Sequence, residues 1–260
     1  MALLHVNFYS DTLGMRTELD VVLPEKQIDG KFQVLFLLHG MSDDQTVWQR
    51  LTSIERYAMD RDLAVVMPTT YLGWYTNNAC GERYFDFITK ELPEIVLGMF
   101  PTISDKREDT FVAGLSMGGY GALKCGLCAP HLFSHAASLS GALDMAGMLE
   151  FMAAGGLERH SEDGSVFPDA FGDLACVRGS DNDLLAVAAR LAPEDRPRVF
   201  IWCGTADFLY EANVTMRDRL IELDYDLSYS EGPGDHAWFY WDREIQHVMD
   251  WLPLKKWGDA

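Results

Sequence analysis

The sequence predicts an α/β fold in which helices cover both faces of a mostly parallel, doubly wound sheet. From residue 31 onwards, short apolar runs alternate with segments of helical period, which is typical of parallel strands joined by crossover helices. Before this point, residues 2–10 and 15–24 alternate apolar and polar side chains around Gly14. A two-residue period is typical of antiparallel strands with one solvated face, so we expect a hairpin at the N-terminal edge of the sheet.

The strands after this hairpin are predicted from apolar runs that are too short for helices. The runs at 31–38 and 198–203 are nearly continuous and indicate strands buried on both faces. The strand at 63–67 is expected to stop at Pro68, because proline cannot donate to a sheet ladder. The remaining strands are predicted at residues 110–113, 134–140 and 226–231.

Helices are predicted where apolar residues recur at intervals of three and four. Val47, Leu51 and Ile54 follow this period in a helix over 46–60. A helix over 84–99 contains Pro93, which we expect to kink or divide it, since proline lacks the backbone N–H that a helix interior needs. Further helices are predicted at 117–128, near 183–192, at 209–223 and at 240–252.

Residues 142–196 break this alternation. They contain a glycine pair at 155–156, a polar stretch at 158–165 and one short helix. A connection of this length exceeds a simple crossover, so we expect a modest insertion that acts as a partial lid. The chain as a whole, residues 1–260, is expected to form a single domain around one sizeable core.

The charge balance restricts the partners. The chain has 40 acidic and 21 basic residues, a formal net charge of -19. Such a surface repels phosphate backbones and anionic lipid, so we expect neither nucleic acid nor a membrane as partner. The N-terminal segment predicts no signal peptide, and we expect a cytoplasmic location. The pattern leaves open whether the chain forms a homo-oligomer.

The five cysteines are scattered and odd in number, which favours a reducing compartment over a disulfide framework. Cys125 and Cys128 match the C-x-x-C pattern but fall late in the predicted helix 117–128. A redox pair belongs at a helix start, so we expect two packed helical thiols.

The stretch FVAGLSMGGY places a serine between a strand and a helix. Gly114-Leu-Ser116-Met-Gly118 has the G-x-S-x-G pattern of a nucleophile elbow, a sharp turn that exposes the hydroxyl above the sheet. The glycines let neighbouring backbone approach without a Cβ clash. A structural turn is the alternative, but a place at the carboxyl end of a strand favours the nucleophile.

A serine hydroxyl needs a base, and the base needs an orienting acid. After such an elbow the expected chain order is serine, acid, histidine. His236 lies in the loop GPGDHAW, and Asp207 follows the strand that ends in WCG. We therefore predict a triad of Ser116, Asp207 and His236, with a helix cap and a turn histidine as the alternative roles of the last two. Asp173 and Asp235 are weaker candidates for the acid.

Two backbone N–H groups are expected to bind the oxyanion of the intermediate. Met117 follows the serine, and Met41 follows Gly40 in the loop after the strand 31–38. Several residues, most of them aromatic, are candidates for the wall of a substrate pocket, with ordinary core or surface packing as the alternative for each. They are Trp48, Trp74 and Trp238, with Tyr75, Asn77, Phe151 and Met152 as further candidates.

With these motifs the chain resembles the esterase D group of α/β-hydrolases. The resemblance rests on LLHGMSDDQTVW, AGLSMGGYGALK, WCGTAD and GDHAWFYW and runs nearly end to end. Within this group, which includes S-formylglutathione hydrolases and feruloyl and acetylxylan esterases, it is most similar to small bacterial tributyrin esterases. The resemblance implies an α/β-hydrolase fold with the triad and oxyanion residues named above. One departure is that GMSDDQTVW lacks the cysteine-bearing stretch common in S-formylglutathione hydrolases.

The predicted function is a serine carboxylesterase that hydrolyses short-chain acyl esters, of the tributyrin type or of acetylated or feruloylated sugars, through an acyl-enzyme. The alternative is a thioesterase like S-formylglutathione hydrolase, or an acyltransferase, with the same triad. A non-catalytic binding scaffold is a third hypothesis, which the complete triad disfavours. The expected partner is a small-molecule ester. No cofactor or metal is expected, and Asp181 and Asp183 are interpreted as an acidic loop and helix cap.

Overall fold

The computed structural model describes residues 1–25, 30–154 and 166–255. These segments contain eight strands, which are β1 (Ala2–Ser10), β2 (Met15–Leu23), β3 (Val34–Leu38), β4 (Ala64–Pro68), β5 (Thr110–Leu115), β6 (His135–Leu139), β7 (Arg198–Gly204) and β8 (Leu227–Gly232). The strands form one sheet in the order β1-β2-β4-β3-β5-β6-β7-β8. Strand β2 is antiparallel to both β1 and β4, and all other neighbours are parallel. The predicted fold class is confirmed.

Helices connect these strands. They are α1 (Val47–Leu51), α2 (Ile54–Met59), α3 (Tyr84–Asp86), α4 (Leu92–Met99), α5 (Met117–Cys128), α6 (Met145–Ala153), α7 (Val166–Phe171), α8 (Leu184–Arg190), α9 (Tyr210–Glu222) and α10 (Trp238–Trp251). A π-helical segment, Phe87–Glu91, joins α3 to α4. Within the described segments, no helix is both long and apolar enough to cross a lipid bilayer.

The helix predicted over 46–60 is divided into α1 and α2. Thr52 is extended, with φ −138° and ψ 176°, and ends α1. Its hydroxyl accepts the N–H of Ile54 at 3.1 Å, so a side chain satisfies a donor at the start of α2. Threonine competes for backbone hydrogen bonds in this way, which explains why the apolar period continues across a break in the helix.

The helix predicted over 84–99 contains a wider, π-helical turn just before Pro93. The Leu92 N–H donates to the Phe87 carbonyl, a bond between residues five apart. Pro93 then lies in the first turn of α4. Proline is tolerated there because the backbone N–H that it lacks is not needed for a hydrogen bond within α4. The expected kink or division takes the form of this π-helical segment.

The sheet separates two layers of core. Along β3, Val34, Phe36 and Leu38 face one cluster, and Leu35 and Leu37 face the other. The first cluster includes residues of α4, α5, α8 and α9, and the second includes residues of α1, α2 and α10. Burying each such aliphatic side chain contributes about 1.5–3 kcal/mol, so both faces hold the sheet in place.

The described parts of 142–196 pack on the first cluster through Leu149, Ala170 and Leu184. The glycine pair at 155–156 and the polar stretch at 158–165 lie outside the described residues. The single domain and the partial lid therefore stay predictions. In α5, Cys125 is buried, and burial raises the pKa of the Cys128 thiol to about 11, far from the thiolate that a redox pair uses.

Candidate active site

Ser116 lies in a strained turn between β5 and α5. Its backbone φ is 51° and its ψ is −118°, a conformation that is unfavourable for a residue with a Cβ. A Cβ added to Gly118 would lie 2.5 Å from the carbonyl oxygens of Leu38 and His39, and one added to Gly114 would overlap the Gly118 carbonyl. The close approach of β3, β5 and α5 therefore requires both glycines.

Three side chains predicted from the sequence meet at the carboxyl edge of the sheet. His236, in the loop between β8 and α10, places its Nε2 3.0 Å from Oγ of Ser116. Its Nδ1 lies 3.0 Å from Oδ1 and 2.9 Å from Oδ2 of Asp207, which follows β7. Hydroxyl, imidazole and carboxylate in this order form the hydrogen-bond path of a Ser-His-Asp triad.

Hydrogen bonds stabilise the ionised carboxylate of Asp207. Burial on its own would raise the pKa of this carboxyl, but hydrogen bonds from His236 and the Leu209 N–H outweigh burial and hold the pKa below its usual range. The carboxylate is therefore ionised near neutral pH and accepts the Nδ1–H of His236. That tautomer leaves Nε2 free to take the proton of Ser116.

Aromatic rings flank the imidazole of His236. The ring centroid of Phe208 is 4.6 Å away, and that of Trp241 is 4.8 Å away with the ring planes at 84°. Nε1 of Trp241 donates a 3.1 Å hydrogen bond to Oγ of Ser140, which follows β6 with a φ of 50°. The Ser140 hydroxyl also helps to lower the pKa of Asp207.

Sequence reasoning missed Phe208, Trp241 and Ser140 as parts of this site. Phe208 directly follows Asp207, and Trp241 lies in the motif GDHAWFYW, so adjacency was an available signal for both. For Ser140 the only available signal was its position after a predicted strand, because its hydrogen bond with Trp241 joins residues 101 positions apart. Side-chain contacts over such separations leave no local pattern.

The loop after β3 passes close to the nucleophile. A Cβ added to Gly40 would lie 3.7 Å from Cβ of Ser116. Met41 follows Gly40, and Met117 begins α5. The side chain of Met41 is exposed and that of Met117 is buried. Their backbone N–H groups stay the predicted oxyanion donors.

His39 anchors this loop in one tautomer. Its Nδ1 is 2.7 Å from the Gly40 carbonyl oxygen, and its Nε2 accepts the Thr70 N–H at 2.9 Å. Together these bonds require the proton on Nδ1. Burial lowers the pKa of His39 to about 4, so the imidazole is neutral at pH 7 and ties the loop to the segment after β4.

Two of the tryptophans predicted to line a pocket pack against each other. Trp48 is fully buried, and its Nε1 donates to the Leu38 carbonyl at 3.1 Å. This corrects the expectation for Trp48, because a ring without exposed surface cannot contact substrate. Trp238 is half-buried and stands edge-on between Trp48, at 5.1 Å, and Trp241, at 5.3 Å. It remains a candidate for the wall beside the imidazole.

Trp74, the third predicted tryptophan, is buried behind the start of α5. Its ring centroid is 5.9 Å from that of Tyr120, whose N–H donates to the Ser116 carbonyl. Phe167 and Phe171 of α7 contact it at 5.4 and 5.8 Å. These rings fill the space beside the first turn of α5.

The further pocket candidates have varied surroundings. Tyr75 is buried and donates to the His39 carbonyl at 2.9 Å. Asn77 accepts a backbone N–H through its side chain at 3.0 Å. Phe151 is exposed on α6, and Met152 packs partly buried against the core. Contact with substrate stays a prediction for Phe151 and Met152.

The weaker candidates for the acid lie outside the triad path. Asp173 accepts the Ala175 N–H at 3.1 Å, and Asp235 is an exposed neighbour of His236. Asp183 caps α8 as expected, accepting the Ala186 N–H. In the three described segments, no group of three or more His, Cys, Asp or Glu side chains is placed to hold a metal ion.

Comparison with known proteins defines the class. Residues 10–251 match the family described as "Putative esterase", and the chain belongs to this esterase family. An acetyl esterase of Caldicellulosiruptor saccharolyticus is 31% identical over 97% of this chain and 98% of its own length. A substrate-bound, fluorophosphonate-binding serine hydrolase of Staphylococcus aureus is 35% identical over 96% of this chain and 98% of its own, with a TM-score of 0.86. An S-formylglutathione hydrolase of the same organism has the same identity and coverage and a TM-score of 0.84.

The chain is therefore a carboxylic ester hydrolase with the α/β-hydrolase fold. The family resemblance and the enzyme class predicted from the sequence are both confirmed. Its substrate and the roles of its individual residues are the subject of the proposals below.

Proposed function

We propose that the protein hydrolyses short-chain acyl esters through an acyl-enzyme formed on Ser116. The observation that carries this proposal is the unbroken hydrogen-bond path from Asp207 through His236 to Ser116. A serine hydroxyl is a weak nucleophile until a base removes its proton. Here the base is in hydrogen-bond contact, and the acid that orients it is ionised.

In the first half of the reaction, Oγ of Ser116 attacks the ester carbonyl while Nε2 of His236 takes the hydroxyl proton. Asp207 stabilises the imidazolium that forms. The oxyanion of the tetrahedral intermediate accepts hydrogen bonds from the backbone N–H groups of Met117 and Met41. The C–O bond to the alcohol then breaks, and His236 gives its proton to the leaving oxygen.

In the second half, water replaces the alcohol beside His236. The imidazole takes a proton from this water as the water oxygen attacks the acyl carbonyl. The same N–H groups hold the second oxyanion. Collapse of this intermediate returns the proton to Oγ of Ser116 and releases the carboxylic acid.

The acyl group of the proposed substrate is short. The 31% identity to an acetyl esterase over almost the whole chain supports the same size of acyl group. We infer acetyl to butyryl esters of small alcohols or sugars as the substrate class.

Thioester hydrolysis or acyl transfer is the second candidate. The 35% identity to an S-formylglutathione hydrolase favours the thioester, and the same acyl-enzyme would pass its acyl group to an alcohol that replaced water. Product analysis with ester and thioester substrates in the presence of sugar acceptors separates these reactions. Transfer products in excess of free acid would favour the transferase.

All five cysteines are free thiols, which supports the proposed cytoplasmic location because unpaired cysteines are typical of a reducing compartment. The proposed partner is a small-molecule ester. Fractionation of cells with an antibody to the native protein tests the location.

Hydrolysis of p-nitrophenyl acetate and butyrate by wild type and Ser116→Ala tests the proposed function. Removing the nucleophile should lower kcat about 10⁴- to 10⁶-fold. Ser228→Ala, in the edge strand β8, is the matched control and should retain wild-type activity. Equal rates for wild type and Ser116→Ala would overturn the proposal.

A further inference from the structure

Phe208 has a solvent-exposed aromatic ring beside His236, the proposed base. Its side chain is 76% exposed, although its ring centroid is only 4.6 Å from that of His236. The flanking residues Asp207 and Leu209 are both buried, and the Leu209 N–H donates to Oδ1 of Asp207 at 2.9 Å. The backbone on both sides of Phe208 is thus fixed, and its ring is held in solvent next to the imidazole.

The two rings that flank His236 differ in their surroundings. Trp241 is buried and bonded to Ser140, so it supports the imidazole from the protein interior. Phe208 is on the solvent side. Exposure of one apolar side chain is common on protein surfaces and by itself assigns nothing. The contact with the base is what distinguishes Phe208 from other exposed aromatic residues.

The loops that carry the site residues are acidic. The segments 40–46, 205–211 and 232–238, which carry Met41, Asp207 and His236, contain several Asp and Glu residues and neither Lys nor Arg. Arg243, in the following helix α10, is already paired with Glu244 at 2.6 Å. The negative potential of these loops repels an anionic group that approaches the imidazole, whereas it does not repel a neutral group.

We propose that Phe208 forms an alcohol-side subsite that binds neutral, ring-shaped alcohols such as pyranosides. This inference rests on the proposed function. When the ester C–O bond breaks, His236 must deliver its proton to the leaving oxygen, so the group bonded to that oxygen lies beside the imidazole. Phe208 contacts the same imidazole from the solvent side, so its exposed ring is available to pack against the C–H face of a saturated ring.

Acetate esters that differ only in the alcohol test this subsite. Ethyl acetate, cyclohexyl acetate and a methyl xylopyranoside monoacetate all give the same acetyl-enzyme, so deacylation is common to them. Differences in kcat/KM therefore report the alcohol side alone. The measured quantity is the ratio of kcat/KM for a ring ester to that for ethyl acetate, which cancels any effect of a substitution on the base itself.

Phe208→Ala should lower this ratio about 5-fold, the size of a lost aromatic contact. Phe239→Ala is the matched control, since Phe239 is also 76% exposed but has its ring against Tyr240, at 5.3 Å. The control should leave the ratio unchanged. An unchanged ratio in Phe208→Ala, or an equal fall in both variants, would overturn the subsite.

A second experiment varies the charge of the alcohol and tests the preference for neutral groups. The acetate of 4-hydroxycyclohexanecarboxylate should react more slowly than cyclohexyl acetate at low salt, and NaCl should reduce the difference by screening. Equal or faster reaction of the anionic ester at low salt would contradict the preference for neutral alcohols.

If no acetate is hydrolysed in a Ser116-dependent way, the proposed function fails. If ethyl acetate is hydrolysed but the ratios are insensitive to Phe208, only the subsite fails.

Discussion

At the scale of single residues, His39 holds the loop after β3 through two hydrogen bonds that require a neutral imidazole. Burial lowers its pKa from 6.5 to about 4. In the unfolded chain this imidazole gains a proton near its ordinary pKa of 6.5, whereas in the folded protein it gains one only near pH 4. The unfolded state therefore binds more protons in this window, and the free energy of unfolding falls as the pH falls through it.

We expect His39→Gln to make the acid side of the stability profile shallower. Between pH 7 and 4.5 the wild-type histidine accounts for a loss of about 2–3 kcal/mol in the free energy of unfolding, and glutamine does not titrate. Urea unfolding of both proteins at the two pH values measures the difference. His135, whose pKa burial also lowers to about 4, contributes to both proteins alike. Parallel profiles would contradict this role of His39.

Asp207 provides a test of tautomer control. In Asp207→Asn the amide can donate to Nδ1 of His236, which moves the ring proton to Nε2 and leaves no acceptor for the Ser116 hydroxyl. We expect kcat to fall about 10³- to 10⁴-fold with the fold retained. Steady-state kinetics and circular dichroism measure the two quantities. A variant with near wild-type kcat would show that Asp207 does not orient the base.

At the scale of elements, the turn between β5 and α5 depends on backbone contact. A Cβ on Gly118 would lie 2.5 Å from two carbonyl oxygens at the end of β3, whereas one on Gly98 in α4 would have no atom within 4 Å. Gly118→Ala should therefore lower both the melting temperature and kcat/KM, the latter by more than about 10²-fold. Gly98→Ala should raise the free energy of unfolding by about 1 kcal/mol. Similar effects of the two substitutions would contradict the close approach at Gly118.

The boundaries of elements could be predicted where a local pattern decides them. Helix α5 begins and ends where the sequence predicts, because the glycine motif starts it and its apolar residues fill the core. The division of α1 from α2 at Thr52 depends on one hydroxyl bond to Ile54. The π-helical turn before Pro93 depends on which carbonyl the Leu92 N–H selects. Neither choice changes the apolar period, so the period could not reveal it.

At the scale of the whole molecule, the net charge of -19 predicts a dependence of stability on salt. Self-repulsion among an excess of carboxylates opposes the compact state, and salt screens it. Surface ion pairs such as Arg198–Asp226, at 2.6 Å, weaken with salt but are each worth little. We expect the melting temperature to rise between about 10 mM and 0.2 M NaCl, as scanning calorimetry would measure. A fall would show that attractive pairs outweigh the repulsion.

The topology explains why the meeting of three polar side chains was predictable and the pocket was not. Parallel strands bring their carboxyl ends to one edge, so Ser116, Asp207 and His236 could be assigned from their places after β5, β7 and β8. The surroundings of the imidazole depend on side chains from three distant segments. Whether a tryptophan becomes core, as Trp48 does, or wall, as Trp238 can, depends on a few ångströms of packing that hydrophobicity alone does not encode.

The most direct test of the central claim is mass-spectrometric mapping of a fluorophosphonate adduct on the native protein. We expect one modified peptide, carrying the label on Ser116, with labelling lost in Ser116→Ala and slowed by at least about 10²-fold in His236→Ala. The Ser228→Ala control should label like wild type. Absence of an adduct on the folded wild-type protein, or an adduct at another residue that persists in Ser116→Ala, would contradict Ser116 as the activated nucleophile.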